Sequence, residues 1–217
     1  MCHNVGRTVN LLLGYVHSVS YAFPLIAGIR RFAVLNRTMR TFVVLMFLGA
    51  TNMSAQFILG KLRINNHIVA DYYRVFEVTI MCAVIYASVR KTIARRIVMA
   101  LGILFVLVWI VDLFYASHST INSTMAMYCR LTLLVVALIA LQTTVQAADS
   151  RIVDRSIFWI SAAATIYNAG SFAVLAFGSR LVELGQPYFT MAWNVNWALL
   201  TVANLMYTKA ILCKVQP

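Results

Sequence analysis

The chain has 217 residues, of which 62% are apolar and only 11% are Asp, Glu, Lys or Arg. Soluble domains contain about 45–50% apolar and about 25% charged residues, so this composition excludes an ordinary water-soluble protein. The mean hydropathy of +0.82 arises from apolar windows of about 20 residues that recur along the chain, which is typical of a polytopic membrane protein.

Seven transmembrane helices are predicted in chain order. Their spans are about residues 9–28, 42–60, 68–88, 97–116, 125–146, 157–177 and 189–208. The apolar runs are continuous, as from Ala100 to Val111, and lack the alternation of a transmembrane β-strand. Seven spans leave room only for short loops, so we expect residues 1–217 to form a single all-α transmembrane bundle.

The basic residues predict the orientation of this bundle. If the helices alternate in direction, twelve lie on one side of the membrane: Arg30, Arg31, Arg37, Arg40, Arg90, Lys91, Arg95, Arg96, Arg151, Arg155, Lys209 and Lys214. The other side has Arg7, Lys61, Arg63 and Arg180. Basic residues stay on the cytoplasmic side during insertion, so the N-terminus is predicted outside and the C-terminus in the cytoplasm, in a plasma membrane. The charges form no contiguous basic face, so no nucleic-acid partner is expected.

An internal period relates parts of the chain. A shift of 56 residues places Gln56 on Asp112 and Asp112 on Asn168, each a polar residue in an even-numbered helix. It also superposes Arg74 on Arg130. This pattern indicates repeated helical hairpins, and coincidence among similar apolar segments is the alternative.

Polar side chains inside the predicted spans gather toward the outer half of the membrane. An ionisable side chain in a span costs a few kcal/mol, so it normally faces the bundle interior and has a partner. The clustering predicts an outward-facing pocket, and packing pairs that fix the helix register are the alternative. The candidate ligand-binding residues are Gln56, Asp71, Arg74, Glu77, Asp112, Arg130, Asn168, Asn194 and Asn196.

The charged residues of this cluster predict two ion-pair groups. Arg74 is three residues from both Asp71 and Glu77, so two carboxylates are expected to hold it. Asp112 and Arg130 lie at similar distances from the loop between consecutive helices, so they are expected to pair across that hairpin. Glu77 is the deepest carboxyl and the main candidate for a protonatable group.

Aromatic and amide residues elsewhere have simpler interpretations. Trp109, Trp159, Trp193 and Trp197 are expected to belong to interfacial aromatic belts, with a ligand pocket as the alternative. Asn204 is expected to form a hydrogen bond between helices.

Several short motifs resemble a group of small, mostly uncharacterised seven-helix membrane proteins common in Bacteroidota. They are Asn52 with Gln56, Asn65-Asn66 followed by Tyr72 to Glu77, Arg130, and Phe158-Trp159. The resemblance covers about residues 40–210 and supplies no activity, although the arrangement is similar to the seven-helix sensory regions that precede bacterial kinases. The chain departs from the group's pattern where carboxylates are expected, at Asn52 and Leu133.

No catalytic, phosphate-binding or metal-binding motif is present in the sequence, and no cofactor is predicted. The favoured interpretation is a sensor or receptor-like module that binds a small molecule in the outer pocket and passes a helix shift to a cytoplasmic signalling partner. A small proton-coupled transporter and an intramembrane lipid-modifying enzyme are the alternatives.

Overall fold

The computed structural model describes residues 13–115, 123–147 and 151–213. All regular structure in these ranges is helical, which confirms the predicted all-α class. Helical residues 13–20 and a turn at Tyr21 lead into the first named helix. The helices are α1 (Ala22–Arg31), α2 (Arg37–Lys61), α3 (His67–Ser88), α4 (Thr92–Tyr115), α5 (Ser123–Gln146), α6 (Ser156–Ala176), α7 (Gly178–Leu184) and α8 (Gln186–Leu212).

The second to seventh predicted spans each coincide with one long helix, whereas residues 13–20 and α1 together cover most of the first span. The short helix α7 was not predicted. Residues 9–12 of the first span and residue 116 of the fourth lie outside the described ranges. The predicted first span is interrupted at Tyr21, because Pro24 has no N–H to donate to the carbonyl of Ser20. Gly185 separates α7 from α8 with a φ of +114°, which a glycine adopts without a steric penalty.

Four helices are long and apolar enough to cross a membrane, which marks the chain as a membrane protein. These segments are Arg37–Lys61, Thr92–Tyr115, Thr124–Gln146 and Ser156–Ala176. The charged residues Asp71, Arg74 and Glu77 keep α3 from this set, although α3 has 22 residues. The three asparagines of α8 likewise reduce its apolar character.

The helices form a bundle in which small residues allow close approach. α6 packs against both α5 and α8, and α3 contacts α2, α4 and α5. Ala163 and Ala164 of α6 and Ala203 of α8 are fully buried. Van der Waals contact between small residues is a main source of helix association in lipid, where the surroundings are as apolar as the side chains.

The two ends of the bundle differ in charge. Consecutive long helices run in opposite directions, so the connections at residues 32–36, 89–91 and 151–155 lie together, and we call this the basic end. Two of the basic residues from which the orientation was predicted, Arg7 and Lys214, lie outside the described ranges. At the basic end, the Nη1 atom of Arg31 donates to the carbonyls of Ile211 and Cys213, at 2.9 and 3.2 Å. This contact ties α1 to the carboxyl end of α8, where a cation also interacts favourably with the helix dipole.

The apolar core is concentrated toward the basic end, although it also includes Met125 and Cys129 near the opposite end of α5. Its largest fully buried apolar side chains include Phe42, Leu45, Ile85, Val98, Phe105, Leu133 and Ile160. Phe42 and Leu45 follow the start of α2, whereas Ile85 precedes the end of α3, and both of these helix ends face the basic end. The opposite end of the bundle, which adjoins residues 62–66 and α7, is called the cavity end.

Candidate functional site

A cavity of about 320 Å³ opens inside the bundle and extends from the cavity end past its middle, to Leu45 of α2 and Tyr207 of α8. α2, α3, α5, α6, α8 and helical residues 13–20 all contribute to its wall. Its polar and aromatic lining residues are His17, Tyr21, Asn52, Gln56, Tyr73, Arg74, Glu77, Arg130, Tyr167, Ser171, Trp193, Asn196, Trp197, Asn204 and Tyr207. The volume is at the small end of the range of pockets that bind small molecules.

An ion pair between α3 and α5 forms the charged centre of the cavity wall. The Nη1 atom of Arg130 donates to Oε1 of Glu77 at 2.9 Å and to Oδ1 of Asn168 at 3.1 Å. The side chains of Glu77 and Arg130 are only 13% and 14% exposed. Asn168 is fixed in turn, because its amide nitrogen donates to the carbonyl of Ala164 at 2.7 Å. The guanidinium of Arg130 also lies 5.0 Å from the centre of the Tyr167 ring, within the range of a cation–π interaction.

This arrangement corrects both predicted ion-pair groups. Among the described residues, Arg130 pairs with Glu77 and not with Asp112, and Arg74 pairs with Asp71 and is not shared with Glu77. The reason is the packing of α3 directly on α5, which sequence spacing does not show. Successive steps of three residues rotate the side chain by about 60° each time on a helix, so Glu77 points about 120° away from Asp71. Glu77 therefore faces α5, and Asp71 stays with Arg74.

The mouth of the cavity is lined by a second set of polar contacts. Arg74 forms its ion pair with Asp71 within the first half of α3. On α2, the amide nitrogen of Gln56 donates to Oδ1 of Asn52 at 3.0 Å. The side chain of Asn66 then donates to the backbone carbonyl of Gln56 at 3.1 Å, which ties the α2–α3 connection to the cavity wall.

Hydrogen bonds on the opposite wall connect α8 to its neighbours. Ser171 of α6 donates to Oδ1 of Asn196 at 2.5 Å. Deeper in the bundle, Asn204 donates to the hydroxyl of Ser20 at 2.8 Å, so its predicted role between helices is confirmed. Both asparagines also line the cavity.

Two buried polar atoms of the cavity wall have no hydrogen-bond partner within the described residues. They are Oε2 of Glu77 and Nδ1 of His17. His17 is 4% exposed and stacks on Trp197 with a centroid distance of 6.1 Å. A buried polar atom without a partner costs about 1–3 kcal/mol, so water or a bound molecule in the cavity is expected to supply the missing contacts.

Four tyrosines in the wall were not predicted as site residues: Tyr21, Tyr73, Tyr167 and Tyr207. Gly49 of α2 makes room for two of them, because a Cβ at that position would lie 2.9 Å from the Tyr73 hydroxyl and 3.6 Å from the Tyr21 ring. Trp193 and Trp197 line the cavity as well, in accordance with the alternative to the aromatic belt. The sequence did contain a signal for these aromatic residues. Once each helix is given a direction across the membrane, they lie at about the same depth as the polar cluster.

The structure brings together part of the predicted site. Gln56, Arg74, Glu77, Arg130 and Asn196 line the cavity, while Asp71 and Asn168 support it through Arg74 and Arg130. Asp112 of α4 and Asn194 of α8 are not among the lining residues. The described environments of Gln56 and Asp112 therefore differ, and the 56-residue repeat stays a prediction.

No protein-family model matches the chain, and no curated protein or solved structure matches it either.

Proposed function

We propose that the protein is a membrane sensor or receptor-like module that binds a small molecule in the central cavity. The observation that carries this proposal is the orphaned Oε2 atom of Glu77 in the wall of a 320 Å³ cavity. A buried carboxylate oxygen normally accepts a hydrogen bond, so we expect a molecule in the cavity to donate to Oε2 of Glu77.

The charges of the wall favour a ligand that is electrically neutral. Each of the two lining arginines, Arg74 and Arg130, already pairs with a carboxylate. A ligand with net charge would bring an unpaired charge into a site of low dielectric, at a considerable cost in free energy. The four tyrosine hydroxyls and the amide groups favour a molecule with hydroxyl, amide or amine groups, and Trp193 and Trp197 favour an apolar face beside them.

The helix α8 offers a route from the cavity to the basic end. It runs for 27 residues, with Asn196 and Trp197 in the cavity wall and its carboxyl end held by Arg31. A ligand that displaces the amino-terminal half of α8 would therefore change its contact with Arg31 about 20 Å away, at 1.5 Å per residue. A shift of this kind is the signal that we propose a cytoplasmic partner detects.

The proposed topology has seven crossings, with the N-terminus and the cavity end outside and the basic end in the cytoplasm of a plasma membrane. The distribution of arginine and lysine supports this orientation. In this topology the cavity is open to molecules outside the cell, as a sensor requires.

A small proton-coupled transporter is the second candidate. The same Oε2 atom of Glu77 favours it, since a carboxylate facing a cavity is a suitable carrier for a coupling proton. The two candidates differ in whether the ligand crosses the membrane.

Ligand binding is tested by screening neutral polar compounds for an increase in melting temperature of the purified protein in detergent. The rise in melting temperature caused by such a compound should be lost in Ala70→Phe, which fills part of the cavity without changing a charge. The matched control is Ala87→Phe, at an exposed position of the same helix outside the cavity. The compound should still raise the melting temperature of this variant. Equal responses of the two variants would contradict binding in the cavity.

Transport is then tested with the identified compound in proteoliposomes. A sensor should show saturable binding and no accumulation under a proton gradient. Uptake that an uncoupler abolishes would assign the cavity to transport and contradict the sensor proposal.

A further inference from the structure

An apolar groove of about 380 Å³ runs along the outside of the bundle between α3 and α4. It is lined by Thr79, Cys82, Ala83, Tyr86, Met99, Gly102, Ile103, Val106 and Leu107. Gly102 forms part of its floor, because a Cβ at that position would lie 3.3 Å from the sulfur of Cys82. Only 11% of the apolar stretch of α4 is buried, so the groove faces the surroundings of the bundle and is separate from the central cavity.

Four cations lie close in the chain to the end of this groove that adjoins the basic end. They are Arg90 and Lys91 in the connection between α3 and α4, and Arg95 and Arg96 near the start of α4. The guanidinium of Arg95 lies 4.2 Å from the centre of the Tyr86 ring, and Tyr86 itself lines the groove. The Nε atom of Arg95 is buried and has no hydrogen-bond acceptor among the residues that the structure describes. None of the four forms an ion pair with a carboxylate in the described part of the chain, although Lys91 donates to the Gln146 side chain at 2.6 Å.

The length of the groove is about two thirds of the depth of one leaflet. It extends from Thr79 to Tyr86 on α3, which is about 10 Å along the helix axis at 1.5 Å per residue. The hydrocarbon core of a bilayer is about 30 Å thick, so one leaflet contributes about 15 Å. An apolar groove of this length, which ends among cations, has the polarity and dimensions of a lipid molecule with a negatively charged headgroup.

We propose that the groove and the four cations bind one anionic phospholipid from the leaflet at the basic end. Its phosphate contacts Arg95 and Arg96, and one acyl chain lies along the groove from Tyr86 toward Thr79. Basic pockets beside transmembrane helices bind anionic headgroups in this way. The proposal requires that the chain resides in a membrane, but it does not depend on the central cavity or on which side the basic end faces.

The test measures bound lipid per protein by native mass spectrometry, with phosphatidylglycerol and phosphatidylcholine compared at equal concentration. We expect phosphatidylglycerol to bind at least fivefold better. Arg95→Gln should reduce this binding about fivefold, the change expected for the loss of one cation near an anionic lipid. The control is Arg37→Gln, which removes the same charge at the same end from an exposed position on α2 and should change binding less than twofold.

The proposed position of the acyl chain in the groove is tested by Ala83→Phe. This substitution fills the groove from an exposed position. The control is Ala100→Phe at an exposed position of α4 that does not line the groove. Only Ala83→Phe should lower phosphatidylglycerol occupancy, and free glycerol 3-phosphate should not compete. The milder Ala83→Leu replaces it if Ala83→Phe lowers the melting temperature.

Three results would overturn the proposal. Equal losses in Arg95→Gln and Arg37→Gln would mean general charge attraction, and competition by glycerol 3-phosphate would mean that the headgroup binds without the groove. The third result is a dimer in native mass spectrometry that becomes a monomer in Ala83→Phe. It would mean that a second copy of the protein covers the groove.

Discussion

Glu77 links the stability of the bundle to its candidate function through its two carboxylate oxygens. Oε1 accepts from Arg130, whereas Oε2 has no partner in the described residues. Breaking a buried ion pair by removing one partner costs about 3–5 kcal/mol, because the remaining charge is then unpaired in a poor solvent. The pair therefore fixes α3 against α5, and the free oxygen remains available to a ligand.

A double-mutant cycle checks this pairing. Glu77→Gln and Arg130→Met should each lower the free energy of unfolding in detergent by about 3 kcal/mol, since each leaves a buried partner without its counter-charge. The double variant should lose less than the sum, by about 1–3 kcal/mol. In the control cycle, Asp112→Asn with Arg130→Met should be additive. Additivity in the first cycle would contradict the pair of Glu77 and Arg130, and coupling in the control cycle would mean that Arg130 pairs with Asp112 as the sequence predicted.

His17 provides a second test at the residue scale. His17→Phe keeps the ring that stacks on Trp197 and removes a buried nitrogen that has no partner. We expect an increase in the free energy of unfolding of about 1 kcal/mol, because an orphaned polar group is removed. Ligand-induced stabilisation should fall at the same time. A loss of stability would indicate that His17 is a structural hydrogen-bonding residue.

At the scale of the helices, close contacts at glycines decide how near neighbouring helices approach. A Cβ at Gly28 of α1 would lie 2.7 Å from a methyl group of Val43 on α2, and β-branched Val43 has little freedom to move away. A Cβ at Gly170 of α6 would overlap the side chain of Leu199 on α8. Lipid supplies no hydrophobic force between helices, so these contacts contribute much of the cohesion of the bundle.

Alanine substitutions at two glycines should separate packing from helix propensity. Gly28→Ala should lower the free energy of unfolding by about 1–3 kcal/mol, the usual cost of overpacking. Gly178→Ala is the control, since a Cβ there meets nothing within 4 Å, and it should leave stability unchanged or raised by less than about 1 kcal/mol. Melting curves of both variants in one detergent give the comparison. Equal effects would contradict the tight α1–α2 contact.

The sequence predicts the helices better than it predicts their contacts. Apolar windows locate the helices because their length is fixed by the thickness of a bilayer. The partner of Arg130 depends instead on which helices touch, and α3 lies against α5 across an intervening helix in the chain. For the same reason Asp112 is absent from the cavity wall, whereas Tyr73 and Tyr167 belong to it without a signal in their own sequence neighbourhoods.

Across the whole molecule, the largest buried apolar side chains are concentrated toward one end of the bundle. Phe42 and Ile85 lie near the basic end, whereas Glu77 and Arg130 line the cavity. A tightly packed end resists distortion, so a ligand-induced change should be transmitted there as a shift of whole helices. The direction of signalling then depends on which end faces the cytoplasm.

Thiol labelling in intact cells tests this direction. Basic residues are retained in the cytoplasm, so the connection at residues 151–155 should lie inside and the connection at residues 62–66 outside. In a background where Cys2 and Cys213 are serine, Ile64→Cys should react with a membrane-impermeant maleimide in intact cells. Ile64 is 53% exposed, and its matched control, Val153→Cys, is at a position that is 49% exposed and should react only after permeabilisation. The reverse pattern would turn the cavity toward the cytoplasm, contradict the proposal of an extracellular ligand, and favour a protein that binds a molecule from inside the cell.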